Sequence, residues 1–251
     1  MTKKRVLSFA LVLAMLIGIF AVIPSVGAVS ATPVKLIYAK PVYRGMGLGA
    51  QGYVEVENIA YTKNITIHYT IDNETWSDCF ATYLQPTHGN YEAWSFETPI
   101  MGIGHRGHGT ITFAIKYEVE VNGSTQTYWD NNNGQNYSVA AGYSTTSRYD
   151  IGNGGAADFY SYRYSDTQVQ GAVQLKNLAY EKVVKIVYTT DNWATTNEAY
   201  ASYTSTFEEN SNIEIWNYSF DAPTDEITYK IEYTVNGTTY VDDNFGNYYT
   251  I

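Results

Sequence analysis

Aromatic rings set among amides are the residues in this chain with most chemistry to offer. The stretch Tyr128-Trp129-Asp130-Asn131-Asn132-Asn133-Gly134-Gln135-Asn136-Tyr137 packs three aromatics around a run of amides, with one carboxylate and one glycine. An altered copy follows near the C-terminus, Tyr240-Val241-Asp242-Asp243-Asn244-Phe245-Gly246-Asn247-Tyr248. Trp76 stands in another polar turn, after Asp72-Asn73. A sugar ring has apolar C–H faces and polar edges. Trp or Tyr stacks on a face while Asn, Lys or Asp bonds the hydroxyls. Trp76 and Trp129 stand outside the apolar strand pattern and suit that task. Trp94 and Trp216 lie inside it and read as core.

Catalysis and metal binding find less support. A glycosidase needs two carboxylates roughly 5–10 Å apart in a cleft. Asp130 and Asp242 recur, but each sits in a turn-rich run where an aspartate caps backbone amides. His68, His88, His105 and His108 all fall in the first half, so no Ser-His-Asp pattern repeats. His105-Arg106-Gly107-His108, with His88 as a third ligand, is a poor zinc cradle, because zinc wants rigidly held ligands and no neighbouring cation. The chain reads as a non-enzyme without cofactor or metal.

The elements that position these residues come twice. Asn58-Ile59-Ala60-Tyr61-Thr62-Lys63 returns as Asn177-Leu178-Ala179-Tyr180-Glu181-Lys182, and Ile115-Lys116-Tyr117-Glu118-Val119 as Ile231-Glu232-Tyr233-Thr234-Val235. Phe113 to Val121 alternates apolar with polar residues, which buries one face of a strand. Asn122-Gly123 and Asn236-Gly237 follow such strands as tight hairpin turns require. After the N-terminal segment no helical period appears. The expectation is an all-β chain: two tandem immunoglobulin-like β-sandwich domains, 33–140 and 142–251, after a signal peptide over 1–28. The Met101–Gly109 loop is an insertion confined to the first copy, and 139–147 is a short polar join.

The signal reading rests on Lys3, Lys4 and Arg5 followed by the apolar run Val6–Ile23, Pro24 and small residues. Its removal takes three of the 15 basic residues and none of the 25 acidic ones, leaving a chain that repels phosphate backbones and anionic lipid. Nucleic acid and membrane are therefore poor partners, and the expected location is extracellular, secreted or at the cell surface. Cys79 is the sole cysteine, so the fold must hold by its core, which suits a bacterial exported protein. The 25 tyrosines exceed what two cores need and point to a surface that stacks on something.

At these residues the chain resembles carbohydrate-binding module family twenty-one, the starch-binding domains of fungal glucoamylases and of glycogen-targeting phosphatase subunits. The resemblance is carried by Asn58-Ile59-Ala60-Tyr61-x-Lys63, Asp72-Asn73 with Trp76, Tyr91-x-x-Trp94, Ile115 to Val119 and Tyr128 to Tyr137, five motifs that recur in the same order in the second copy. It implies a sandwich that binds α-1,4-glucan (starch, glycogen, maltooligosaccharides) without catalysis, at two sites. One would use Trp76 and Trp129 with Asn131, Asn136 and Lys63. The other would use Tyr61, Tyr83 and Tyr91. In the second copy Trp193, Tyr180, Lys182, Tyr203 and Asn247 match. Val241 stands for Trp129, Ile213 for Tyr91, and the Asp-Asn run reads as one residue shorter, so the first copy is expected to bind more strongly. Alongside the glucan, a secreted amylase complex is an expected partner. The alternative reading is an exported structural or adhesion protein that binds another protein.

Overall fold

The computed structural model describes residues 32–45, 47–102, 109–141, 149–152, 154–206, 212–222 and 226–251. The signal segment, the 103–108 loop with His105 and His108, and most of the 139–147 join lie outside the described residues.

The described chain is all-β apart from one 3-10 turn, Asn132–Gly134. Its strands form four antiparallel sheets. The first runs in the order β11 (Asp150–Ile151), β1 (Val34–Arg44), β2 (Gly47–Glu57), β6 (Tyr91–Glu97), β5 (Thr82–Pro86), with β7 (Met101–Gly102) also on β2. The second runs β10 (Tyr137–Ala141), β8 (Gly109–Val121), β3 (Lys63–Thr70), β4 (Ser77–Phe80), with β9 (Ser124–Asp130) on β8. The third repeats the first as β12 (Ala156–Ser165), β13 (Gln168–Lys176), β17 (Ile213–Asp221), β16 (Ser202–Thr206). The fourth repeats the second as β15 (Asn197–Tyr200), β14 (Lys182–Thr189), β18 (Thr228–Val235), β19 (Thr238–Asp242), with β20 (Tyr249–Thr250) on β18.

Alternation along β8 explains why each pair of sheets closes. Ile111, Phe113, Ile115, Tyr117 and Val119 point into one core with Leu36, Val54 and Phe96 from the facing sheet. Tyr229, Ile231, Tyr233 and Val235 of β18 do the same against Val169, Val173 and Phe220. The buried hydroxyls of Tyr117 and Tyr233 donate to the Glu57 and Lys176 carbonyls at 2.8 and 2.9 Å, so both cores tie their sheets together with the same bond. The Asn-Gly pairs turn as expected: Asn122 and Gly123 have φ of 50° and 79°, Asn236 and Gly237 of 51° and 75°.

The two halves meet through a third core of Tyr38, Tyr149, Ile151, Ala157 and Ile213. Asp150–Ile151, which a boundary at 142 assigns to the second repeat, adds to the edge of the first sheet with Tyr38 opposite Ile151. The turn after β19 also crosses over. The Phe245 ring lies 4.4 Å from that of Tyr53, and Gln85 Nε2 donates to the Phe245 carbonyl at 2.6 Å.

Near this junction the second core is more polar than the first. Strand registers superpose Asp158 on Leu36, Tyr229 on Phe113 and Tyr218 on Phe96. Tyr229 donates to Asp158 Oδ1 at 2.7 Å, beside the Ser161 hydroxyl at 2.8 Å. The Asp158 amide donates to Asp242 Oδ2 at 3.0 Å, and Tyr249 reaches both Asp242 oxygens. Burial pushes the Asp158 carboxyl up to about 7, with the Asp242 charge adding and the Tyr229 bond opposing.

Candidate carbohydrate-binding site

Each half carries a groove at the foot of the Asn-x-Ala-Tyr motif. In the first it is lined by Asn58, Tyr61, Lys63, Tyr83, Glu92 and Trp94, and encloses about 710 Å³. In the second, Asn177, Tyr180, Lys182, Tyr203, Glu214 and Trp216 line a groove of about 1090 Å³. Tyr61 and Tyr180 project almost wholly into solvent, 98% and 97% exposed. Tyr83 stands edge-on to Trp94 at 5.7 Å and 83°, and Tyr203 to Trp216 at 6.2 Å and 78°. Exposed rings of this kind, one free and one braced, offer a sugar two faces to stack on.

Beneath the rings lies a polar triad, present twice, with its Lys and Glu side chains sequestered and its Asn at the exposed rim. Lys63 Nζ donates to Asn58 Oδ1 at 2.5 Å and to Glu92 Oε2 at 2.8 Å; Lys182 donates to Asn177 at 2.6 Å and to Glu214 at 2.8 Å. Each lysine side chain is 4% or less exposed. The same glutamates receive the indole N–H groups of Trp94 (3.3 Å) and Trp216 (2.8 Å). Lys63 and Lys182 therefore belong to the groove, where they fix its floor, and not beside Trp76. Trp94 and Trp216 pack against the cores as expected, but only half-buried, and they wall the grooves as well. Strand alternation hid this, because their faces are shared between core and groove.

Tyr91 is not in the groove. It lies on the opposite face of β6, stacked on His88 at 5.2 Å, with Lys35 Nζ 5.8 Å above its ring. Its counterpart Ile213 is buried in the junction core.

A second aromatic surface sits on the outer face of the β3–β8–β9 sheet. Trp76 stacks on His68 at 4.7 Å and 13°, while Trp129, 49% exposed, meets the same imidazole edge-on at 6.4 Å and 82°. The two indoles thus flank one histidine at an angle. His68 Nδ1 is held 2.6 Å from Asp78 Oδ1. Sequence reasoning passed over His68, although its outward position between buried Ile67 and Tyr69 on β3 was a usable signal. The turn carrying Trp76 is anchored by Asp72. The Thr75 and Glu74 amides and the Thr70 hydroxyl donate to its carboxylate, holding it down at about 2.

In the second half Trp193 is not where Trp76 is. Trp76 directly precedes β4, whereas Trp193 lies within the turn at φ 66° and packs on Tyr248 at 4.5 Å. The two Asp-Asn turns have equal length. Asn132, Asn133, Gly134 and Asn136 have φ of 52°, 57°, 89° and 58°; Asn244, Phe245, Gly246 and Tyr248 have 52°, 57°, 79° and 60°. The bonds agree: Gly134 N donates to Asn131 Oδ1 as Gly246 N does to Asp243 Oδ1, and the Asn132 and Asn244 side chains donate to the Asn136 and Tyr248 carbonyls. Asp130 accepts from Tyr137 and the Leu36 amide, so it builds the turn as expected. Hence Tyr248 replaces Asn136, and Asn247 corresponds to Gln135. Asn131 and Asn247 both serve the turn, Asn247 Nδ2 donating to the Asn244 carbonyl at 3.1 Å. The Asn136 backbone amide donates to the Asn131 carbonyl at 2.8 Å, while its side-chain amide has no protein partner among the described residues.

A model of the family described as carbohydrate/starch-binding module, family 21, matches residues 39–140 and 158–251. Glucoamylase 1 of Rhizopus oryzae is 38% identical over 109 residues, 41% of this chain and 16% of that protein. Protein phosphatase 1 regulatory subunit 3B of Danio rerio is 37% identical over 93 residues, 35% of this chain and 29% of that protein. The chain thus spans well under two thirds of these relatives. Among solved structures, the starch binding domain of Rhizopus oryzae glucoamylase, in complex with beta-cyclodextrin and maltoheptaose, aligns at 27% identity and a TM-score of 0.34, covering 39% of this chain and 92% of that one. The carbohydrate binding module of the muscle glycogen-targeting subunit of Protein Phosphatase-1 aligns at 26% identity and 0.34, covering 43% and 74%.

Proposed function

The chain belongs to carbohydrate/starch-binding module family 21, and from that premise we propose that it is a secreted, non-catalytic binder of α-1,4-glucan. The observation that carries this reading is the doubled groove: a free tyrosine and a braced tyrosine–tryptophan pair over a buried Lys–Glu pair with its Asn partner. A stacking wall next to fixed polar groups holds a neutral polyol, with ring faces on the aromatics and hydroxyls at the edges. The outer surfaces add Trp76 and Trp129 in the first half, and Trp193 and Tyr248 in the second. Single stacked sugars bind weakly. Two modules in one chain raise avidity when both reach the same granule or strand. Secretion rests on the basic head and apolar run of residues 3–23. A secreted amylase is the natural companion of such a binder at an insoluble substrate.

Tryptophan fluorescence on titration with β-cyclodextrin or maltoheptaose tests the reading, together with co-sedimentation with starch granules. Quenching and retention are expected. Neither signal, with retention by a protein partner instead, favours the adhesion reading.

A further inference from the structure

Strand β12 carries a row of tyrosines that neither groove nor outer platform uses. Tyr160, Tyr162 and Tyr164 are 38%, 45% and 63% exposed on the edge strand of the third sheet. Successive rings Tyr160 and Tyr162 are 6.2 Å apart and tilted by 32°. The row is braced from below. Tyr160 packs on Phe159 at 5.2 Å, and Phe159 on Tyr149 at 5.5 Å, which belongs to the junction core. Beside the row, the Tyr162 hydroxyl donates to Gln170 Oε1 at 3.0 Å, and Gln170 Nε2 to Gln168 Oε1 at 3.2 Å. Tyr160 and Tyr162 are thus ordered before any ligand arrives, which lowers the entropic cost of binding.

The first repeat uses the same place differently. Tyr38 takes the position of Tyr160 but is 6% exposed, covered by Tyr149 and Ile151 at the junction. Lys40 stands where Tyr162 does. The second repeat therefore carries a ring where the first carries a half-exposed cation, next to a position that only the first repeat buries. Charge narrows the occupant. Arg163, the cation of β12, turns its guanidinium to the Ala222 and Asp166 carbonyls, so the strip presents rings and amides. That chemistry suits a neutral polyol.

We propose that Tyr160, Tyr162 and Tyr164 form an edge-strand stacking strip for the ordered chains at the surface of an insoluble α-glucan. The proposal rests on the reading of the chain as a glucan binder. Shape sets the division of labour. The grooves are concave and take a single bent chain. Strand β12 instead carries Tyr160 and Tyr162 along the sheet edge, about 7 Å apart along the strand, and turns Tyr164 out at the bulge between Arg163 and Ser165, so its rings meet extended chains lying side by side in a solid.

The test compares wild type with the Tyr160→Ala/Tyr162→Ala/Tyr164→Ala variant in the full chain. Adsorption to starch granules should weaken at least tenfold, while the Kd for β-cyclodextrin, read by tryptophan fluorescence, stays within twofold. The corresponding triple Phe variant, which keeps the rings, should adsorb like wild type. Equal adsorption by the Ala variant, or loss of cyclodextrin binding along with adsorption, overturns the strip. Light scattering that shows a wild-type dimer and a monomeric Ala variant overturns it in favour of a second copy as occupant. A wild type that binds neither ligand sinks the underlying glucan reading, an outcome distinct from the others.

Discussion

Tyr248 of the second half occupies the backbone position of Asn136 in the first, at φ 60° against 58°, and its ring packs 4.5 Å from Trp193. A bulky residue in the left-handed region is strained, by roughly 1–2 kcal/mol, and persists where its surroundings use it. Here the ring completes an aromatic pair in place of the lost indole at Val241. Tyr248→Asn restores the first-half residue and relieves the strain. The expected result is a slightly raised Tm together with weakened maltooligosaccharide binding in a background where Trp129 and Tyr61 are alanine. Undiminished affinity there removes Tyr248 from the binding surface.

In the first half the corresponding ring is Trp129, half-exposed and edge-on to His68. Trp129→Ala removes a stacking contact of about 1–3 kcal/mol, by analogy with base–aromatic stacking. Because the ring is not part of the core, the melting temperature should hold. Isothermal titration with maltoheptaose, alongside thermal denaturation, separates the two effects. Trp193→Ala should cost less in the whole chain, since Tyr248 remains beside it.

The grooves separate structure from binding more sharply. Glu214→Ala strands Lys182, whose side chain is 3% exposed, and leaves the Trp216 indole N–H without its acceptor. Breaking a buried pair in this way costs about 3–5 kcal/mol, read as a lower midpoint in urea. Tyr180→Ala, on a ring 97% exposed, should leave that midpoint unchanged and weaken glucan binding. A Tyr180→Ala variant that binds as wild type would show that the second groove is idle.

How much of this was written in the sequence depends on what each residue touches. Period-two alternation at Phe113 to Val121 announces a buried strand face, and the Asn-Gly pairs announce hairpins, because both are local properties of the chain. Tyr61 and Tyr83 were legible through the family resemblance, and the structure brings them to one groove. Trp94 was read as core alone, whereas its wide ring spans core and groove at once. Tyr91 was misplaced because one step along a strand changes the face, which only the sheet's neighbours reveal. The Tyr248–Asn136 equivalence is a matter of backbone angle. Aligning Tyr with Tyr made the second turn read one residue short, whereas the φ values show equal lengths. The junction core was silent, since nothing local marks Ile213 or Phe245 as partners of Tyr38 and Tyr53.

Phe245 ties the second half's turn to the first half through the Tyr53 ring and the Gln85 bond to its carbonyl. It too sits at a left-handed angle, φ 57°. Phe245→Asn, the residue of the first turn, keeps the backbone and removes the ring contact, which is worth about 0.5–1.5 kcal/mol beyond its buried area. Hydrogen exchange of the β2 and β19 amides should quicken at the junction while the β8 and β18 amides stay protected. Unchanged exchange at β2 would show that the Ile151 and Tyr149 contacts hold the halves together without it.

The polar cluster at Asp158 sets a pH dependence whose sign follows from its surroundings. Asp158 is raised by burial to about 7 from its ordinary 3.8, and Asp242 beside it is raised too. A carboxyl that is harder to ionise folded than unfolded stabilises the fold while both states are protonated, below about pH 4. That contribution is lost as pH climbs toward 7, by about 4 kcal/mol at most for three pH units at 1.36 kcal/mol each. The surface turns oppose this only at lower pH. Asp72 and Asp191, held down at about 2 by their amide and hydroxyl donors, stabilise the fold above pH 4 and cease to as pH falls through 2. Thermal denaturation of the wild type should therefore show Tm declining from pH 4.5 to 7.5. Asp158→Asn keeps an acceptor for Tyr229 and removes the titration, so its Tm should be flatter over that range. Asp158→Leu copies Leu36 but leaves the Tyr229 hydroxyl only the Ser161 hydroxyl as a partner, so it should flatten the profile at a lower Tm than Asp158→Asn. A wild-type profile already flat between pH 4.5 and 7.5 would mean that the Asp158–Asp242 cluster keeps an ordinary carboxylate pKa.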